Sequence, residues 1–305
     1  IINQFQFIRS PLSNVEISDT GSKVSVNLLP LNEIEIENDI IPDNIYKPND
    51  HYQALLGMRN LRKYQQQNMY QDFSSEALKK CQEILVLVAK SHNSLRLRES
   101  NFYMQCALMH RLLQKLDPSD PDIFQYLCAL MFLTHKFEPT GGQIYKCETM
   151  IQRLFGRDTR VRKERIFDLE EQVFQLLDYN LNVVTPYDFI HLFSECAQLT
   201  PQQVNLALFL SSLAIMNLKC QNCHPCKVAG AIIMLVLQKN SQSWNQSLKF
   251  WSGLQPSTFE DERQAVLQLW VESSLETRNG RPSFITLKYK DSRKYQVSLE
   301  EPVIE

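Results

Sequence analysis

Glycine is scarce in this chain, with 8 among 305 residues, and the strings that announce common enzyme chemistries are missing. There is no Walker loop to cradle phosphates, no dinucleotide-binding glycine pattern, no His-Glu-x-x-His zinc helix and no Gly-x-Ser-x-Gly nucleophile turn. The paired glycines, Gly141-Gly142, fall in a loop between two expected helices. A catalytic role and a bound cofactor are therefore not expected. No apolar run reaches about 18 residues, so no membrane-spanning helix is expected, and the opening Ile-Ile-Asn-Gln-Phe-Gln does not have a signal-peptide pattern. An excess of one charge is also lacking. With 32 basic and 34 acidic side chains the formal net charge is −2, which leaves no global field to draw the chain to nucleic acid or an anionic membrane.

What is present is helical. Hydrophobic residues make up 44% of the chain and recur mostly at helical spacing, so the expected class is all-α. From Ile123 to Leu133 every residue except Gln125 is apolar or aromatic, and the run ends in the polar group His135, Lys136, Glu138. A short helix that is apolar all round has to be enclosed by other helices. The same device recurs from Val228 to Leu237. Pro121 precedes the first run and Pro225 the second, and proline suits a helix start because its φ is preset and its missing N–H had no partner there. Two enclosed hub helices imply two successive bundles of one design.

Further helices are expected at about 50–70, from Ser74 or Ser75 through Val88, and at 98–115, 122–136, 143–155 and 163–179. A second set follows near 186–197, 201–218, 226–238, 243–249 and 257–274. Residues 1–48, with prolines at 11, 30, 42 and 48 and the acidic stretch Glu33-Ile-Glu-Ile-Glu37, read as an extended arm or a tail without a core of its own. Ser283-Phe-Ile-Thr-Leu-Lys-Tyr289 and Tyr295-Gln-Val-Ser-Leu299 read as two short strands or an extended tail.

The 8 cysteines sit mostly inside apolar helical stretches, which indicates reduced thiols and an intracellular protein, nuclear or cytoplasmic. The cluster Cys220-Gln-Asn-Cys223-His224-Pro-Cys226 contains the c-type haem pattern and four conceivable zinc ligands. Four ligands within seven residues fit a tetrahedron poorly, so Cys220, Cys223, His224 and Cys226 remain weak candidates and no metal is expected. Arg157, Arg160, Arg162, Lys163 and Arg165 form a basic patch that suits an acidic partner or, more simply, a solvated loop and helix start. Ser10-Pro11 and Arg9-x-x-Leu12 match short modification and degradation signals that arise by chance in a chain of this length.

Several stretches in order resemble the cyclin family. Leu130-Met-Phe-Leu-Thr-His-Lys136-Phe-Glu138 is similar to the end of the third helix of a cyclin box. Phe167-Asp-Leu-Glu170 through Tyr179-Asn-Leu181, followed by Thr185-Pro-Tyr-Asp-Phe189, resembles the fifth helix and the crossing into a second box. Leu206 to Ala214, Pro225-Cys-Lys-Val-Ala-Gly-Ala231 and Ser243-Trp244 resemble that second box, and the flavour is that of A- and B-type mitotic cyclins. The resemblance covers about residues 50–275. It implies two tandem five-helix boxes, 73–184 and 185–275, preceded by an N-terminal helix at 49–72 and flanked by extended arms at 1–48 and 276–305.

The resemblance also implies a partner, a cyclin-dependent kinase that the chain binds and activates, with kinase substrates or inhibitors as further partners. Lys136 and Glu170 form the central pair in the family pattern, with Phe137, Glu138, Phe174, Tyr179 and Leu181 around them and Tyr52 and Leu55 on the N-terminal helix. One departure stands out. Where many cyclins carry Met-Arg, Leu and Trp for docking peptides, this chain has Lys80-Cys-Gln-Glu-Ile84-Leu-Val-Leu87-Val88, so a peptide groove built on Ile84, Leu87 and Val88 is doubtful. A kinase-independent cyclin-fold scaffold is the alternative. A nucleic-acid binder with paired cyclin folds would want a basic face, which the charge balance argues against.

Overall fold

Helix boundaries in the second half of the chain follow from proline and short polar caps. The computed structural model describes residues 45–46, 75–138, 145–156 and 161–303. Its helices are α1 (Ser75–Leu95), α2 (Glu99–Leu113), α3 (Ile123–Phe137), α4 (Cys147–Phe155), α5 (Lys163–Leu176), α6 (Pro186–Cys196), α7 (Pro201–Met216), the single turn α8 (Leu218–Gln221), α9 (Pro225–Lys239), α10 (Gln246–Ser252), α11 (Glu260–Arg278) and α12 (Phe284–Tyr289). Proline is the first residue of α6, α7 and α9. Ahead of two of them a capping box closes: the Thr185 N–H donates to Asp188 at 2.8 Å, and the Thr200 N–H to Gln203 at 2.8 Å. Among the described residues there is no strand.

Each expected hub helix packs among the others, to different degrees. In α9 every residue from Val228 to Leu237 is buried except the half-buried Met234, and the helix lies against α6, α7 and α11. Gly230 sits where a neighbour comes close: a Cβ there would stand 3.1 Å from Leu254 and 3.3 Å from the Phe259 ring. Helix α3 packs against α2, α4 and α5. Its enclosure is complete only from Leu127 to His135, because the first turn stands proud of the bundle and leaves Phe124 47% exposed. The expectation of an apolar helix enclosed from end to end is corrected there.

Two buried amide side chains of α2 donate to groups at the exit of α3. The Gln105 side chain donates to Thr134 Oγ1 at 3.0 Å, and Asn101 donates to the Glu138 carbonyl at 3.1 Å. Burying such groups without a partner costs free energy, so these bonds fix the register of the α3 exit against α2.

The C-terminal segment departs from the sequence reading. Instead of strands or an extended tail, residues 284–289 form α12, followed by two turns of 3-10 helix at Ser292–Lys294 and Val297–Leu299. Ser283 caps α12 by accepting from the Thr286 N–H at 3.1 Å. Ile285, Tyr289 and Val297 are buried, and α12 lies against α7 and α1. The i, i+4 pair Ile285 and Tyr289 meets an apolar surface supplied by other helices, and that burial outweighs the local β propensity. Helix α11 also continues to Arg278, four residues past the expected end. The N-terminal helix expected at 49–72 and all of the 1–48 arm except Ile45 and Tyr46 lie outside the described residues. At those two, Ile45 is buried, the Tyr46 N–H donates to Ser247 Oγ at 2.8 Å and Trp251 donates to the Tyr46 carbonyl at 2.8 Å.

Candidate functional site

The last turn of α3 delivers Lys136 to the surface, where its ammonium pairs with Glu170 of α5. The glutamate side chain is 13% exposed and the lysine 37%, so the carboxylate is sheltered while the ammonium keeps a face to solvent. Lysine carries three N–H donors, and one carboxylate oxygen occupies one of them. The site can therefore offer fixed, charge-assisted donors to acceptors on another molecule.

The neighbours of this pair hold its position. Glu138, just past the helix, accepts from Ser100 Oγ at 2.9 Å, and its own N–H donates to the Thr134 carbonyl at 2.9 Å. Its side chain is thus engaged with α2. Phe137 is half-buried. His135 is fully buried, stacks on Tyr145 with ring centres 5.0 Å apart, and accepts from the Tyr145 N–H at 3.1 Å.

Beyond α5 the chain turns through two successive residues in the left-handed region, Asp178 (φ 54°) and Tyr179 (φ 55°). Non-glycine residues adopt this conformation only when the surroundings hold them. Here Arg111 of α2 donates to the carbonyls of Asn180 and Leu177 at 3.1 and 3.2 Å, and Lys115 pairs with Asp178 at 2.9 Å. The turn presents Tyr179, 64% exposed and edge-on to the half-buried Phe174 with ring centres 5.1 Å apart.

The structure thus brings Lys136, Glu170, Phe137, Phe174 and Tyr179 to one region of α3, α5 and the turn after α5. It places Leu181 differently: at 4% exposure it is a core residue. Tyr52 and Leu55 lie outside the described residues. Sequence reasoning missed Arg111, which makes contacts 66 and 69 residues away, and it missed Phe132, whose ring lies 4.6 Å from the Lys136 ammonium, and Phe167, which lies against that ring. The signal for the last two was available, since each stands one helical turn before a charged site residue, Lys136 or Glu170.

The weaker candidates are also placed. Ile84 and Val88 are buried in the core, 5% and 0% exposed, and only Leu87 of the three reaches the surface. The buried side of α1 thus takes two of the three residues of the doubtful groove. Among the described residues no group of three or more His, Cys, Asp or Glu side chains could hold a metal ion. His224 instead caps α9, its Nδ1 accepting from the Cys226 N–H at 3.2 Å, while burial pushes the Cys220 thiol up to about 12 and the Cys223 thiol above its ordinary value. In the basic patch, Lys163 pairs with Glu148 at 3.1 Å and Arg165 with Asp122 at 2.8 Å, so both serve the bundle, while Arg157 and Arg160 lie outside the described residues. No described helix is long and apolar enough to cross a membrane.

Known proteins resemble this chain in sequence and in fold. The family model for the cyclin C-terminal domain matches residues 184–303. The chain is 26% identical over 101 residues to G2/mitotic-specific cyclin-B3 of Gallus gallus, a match covering 33% of this chain and 25% of that one. It is 23% identical over 200 residues to G2/mitotic-specific cyclin-B2 of Macaca fascicularis, covering 65% and 48%. It is 27% identical over 147 residues to G2/mitotic-specific cyclin S13-7 of Glycine max, covering 48% and 56%. The chain thus spans between a quarter and about half the length of these relatives. Among solved structures, it has the fold of a viral cyclin from herpesvirus saimiri, with a TM-score of 0.56 at 12% identity over 72% of this chain and 95% of that one. A chain of the yeast RNA polymerase II CTD kinase complex CTDK-1 gives a TM-score of 0.52 at 11% identity, covering 66% and 73%. Residues 184–303 match the cyclin C-terminal domain, the similar proteins of known name are mitotic cyclins, and the all-α fold is one that a viral cyclin shares.

Proposed function

We propose that this chain is the regulatory, non-catalytic subunit of a cyclin-dependent protein kinase, bound through the exit of α3 and the outer face of α5. The observation that carries the reading is the pairing of a surface ammonium, Lys136, with a sheltered carboxylate, Glu170, beside exposed aromatic side chains. A protein kinase is active only when its conserved Lys–Glu ion pair and activation loop are both in place, and positioning of its regulatory helix controls this. In this reading Phe137, Phe174 and Tyr179 press on that helix, while Lys136 donates to kinase backbone carbonyls and Glu170 holds the lysine. Apolar and aromatic anchors would carry most of the binding energy.

The match to the cyclin C-terminal domain, the mitotic cyclins among the similar proteins, and a fold shared with a chain from a kinase complex support the reading. Residues 73–184 and 185–275 serve as the two cyclin boxes, and the compartment is that of the kinase, nucleus or cytoplasm. The burial of Ile84 and Val88 speaks against docking of substrates or inhibitors on α1 in the usual mode.

The test is capture of bound proteins by the native chain and by a Lys136→Ala, Glu170→Ala double variant, read by mass spectrometry. A protein kinase held by the wild type and lost by the variant is the expected result. Non-kinase partners held equally by both, with no kinase, would overturn the reading in favour of a kinase-independent scaffold.

A further inference from the structure

The exit of α3 contains an aromatic arrangement that the ion pair alone does not require. Phe132 lies one turn before Lys136, and the ammonium stands 4.6 Å from the centre of its ring. That ring is only 7% exposed, so it is held by the core and cannot swing away. Phe167 lies against it with ring centres 5.8 Å apart at an angle of 37°, and is itself 46% exposed. Each helix therefore supplies an aromatic residue one turn ahead of its charged one: Phe132 before Lys136 on α3, Phe167 before Glu170 on α5.

A lysine side chain is a compact charge on a flexible four-carbon stem, and a single ion pair leaves much of that freedom in place. A cation over a ring face is attracted by the ring's quadrupole, and the attraction grows as water is excluded. Carboxylate and ring face together restrict the ammonium more than either alone. The leftover donors are then directed outward, where Lys136 keeps its exposure.

We propose that Phe132, backed by Phe167, is a positioning residue for Lys136: its ring face seats the ammonium that Glu170 neutralises, so that the remaining donors are fixed before a partner arrives. The identity of that partner rests on the kinase reading; the seat does not. Ordering the lysine in the free protein removes an entropy cost from binding.

The test reads the seat and the binding separately. In protein carrying 13C-labelled lysine, the Lys136 Hε resonance, assigned by its loss in Lys136→Arg, should be shifted upfield by the ring current. Phe132→Leu fills most of the space without a ring and should move that resonance to the position of ordinary exposed lysines, while Phe132→Tyr should keep it. Affinity for the captured kinase should fall about two- to fivefold in Phe132→Leu and be restored in Phe132→Tyr. A Lys136 shift unmoved by Phe132→Leu would overturn the proposal. So would weaker binding with an unmoved shift, because Phe132 would then act as a contact or through the core. Phe132→Leu alters a nearly buried position, so Phe167→Leu, at a half-exposed one, is the second variant. It should move the resonance part of the way, and no movement there also counts against the seat. If the wild type holds no kinase, the kinase reading fails while the resonance still decides the seat.

Discussion

Lys288 of α12 places its ammonium 2.6 Å from the carboxylate of Glu99 at the start of α2, joining residues 189 positions apart. The pair is largely enclosed, with side-chain exposures of 16% and 23%, and the ammonium also lies 5.3 Å from the centre of the Phe102 ring. Burial alone would raise the Glu99 carboxyl, but Lys288 outweighs it and holds the carboxyl below its ordinary value. Removing one member strands the other in a poorly solvated place. Glu99→Ala or Lys288→Ala should each lower the unfolding free energy by about 1–3 kcal/mol in urea titration, less than a fully buried pair because some solvent reaches both groups. A double-mutant cycle should give clear coupling, and strictly additive losses would refute the pairing. Because the folded pKa is depressed, this contribution is present above the ordinary carboxylate value and is lost as pH falls through the folded one.

Desolvation lowers the pKa values of three histidines: the buried His92, the more exposed His191 and most of all the buried His110, which is pushed down to about 4. Between about 4 and the ordinary value of 6.5 the unfolded chain binds a proton at position 110 that the folded chain does not. Stability should therefore be full above 6.5 and decline as pH falls toward 4, with a slope of up to about 1.4 kcal/mol per pH unit from His110. Urea midpoints between pH 7.5 and 5 measure this. His110→Gln should flatten the slope, and an unchanged slope would mean that the histidine is protonated when folded.

For Lys136 and Glu170 the expectation separates stability from binding. The lysine is partly exposed, so the pair should contribute no more than about 1 kcal/mol to folding. Glu170→Ala should leave the melting temperature almost unchanged and yet abolish kinase capture. A large fall in melting temperature would show that the pair is structural.

At Gly230, helix propensity and packing oppose each other. Alanine is favoured over glycine in a helix by about 1 kcal/mol. The added Cβ would meet Leu254 at 3.1 Å and Phe259 at 3.3 Å, and Phe259 is fully buried with the Trp244 ring centre 5.3 Å away, so it cannot give way. Overpacking of this kind costs about 1–3 kcal/mol, and Gly230→Ala should therefore be net destabilising in thermal melts. A rise in melting temperature would show that Leu254 and Phe259 can shift.

How far the site was legible depends on the range of the interaction that made it. Lys136 and Glu170 were found because they stand in recognisable strings at the ends of two strongly patterned helices. The seat formed by Phe132 and Phe167 was written in the same helices at one-turn spacing, but it looks like ordinary core until the two helices are placed together. Which of Ile84, Leu87 and Val88 are covered could not be read from the sequence, because α1 is apolar over much of its surface and only its neighbours decide which residues are buried. Arg111 could not be found at all: nothing near it in sequence points to the carbonyls after α5.

The amino-acid sequence by itself determined the all-α class, most helix positions and the starts of α6, α7 and α9, because helical periodicity, proline at the first position and side-chain caps act within a turn or two of chain. Tertiary structure alone decided that residues 284–299 form a helix and turns, that the first turn of α3 is exposed, and that Leu181 lies in the core. Those outcomes depend on surfaces contributed by distant segments. For a short piece of chain, burial against such a surface is worth more than the local preference that opposes it.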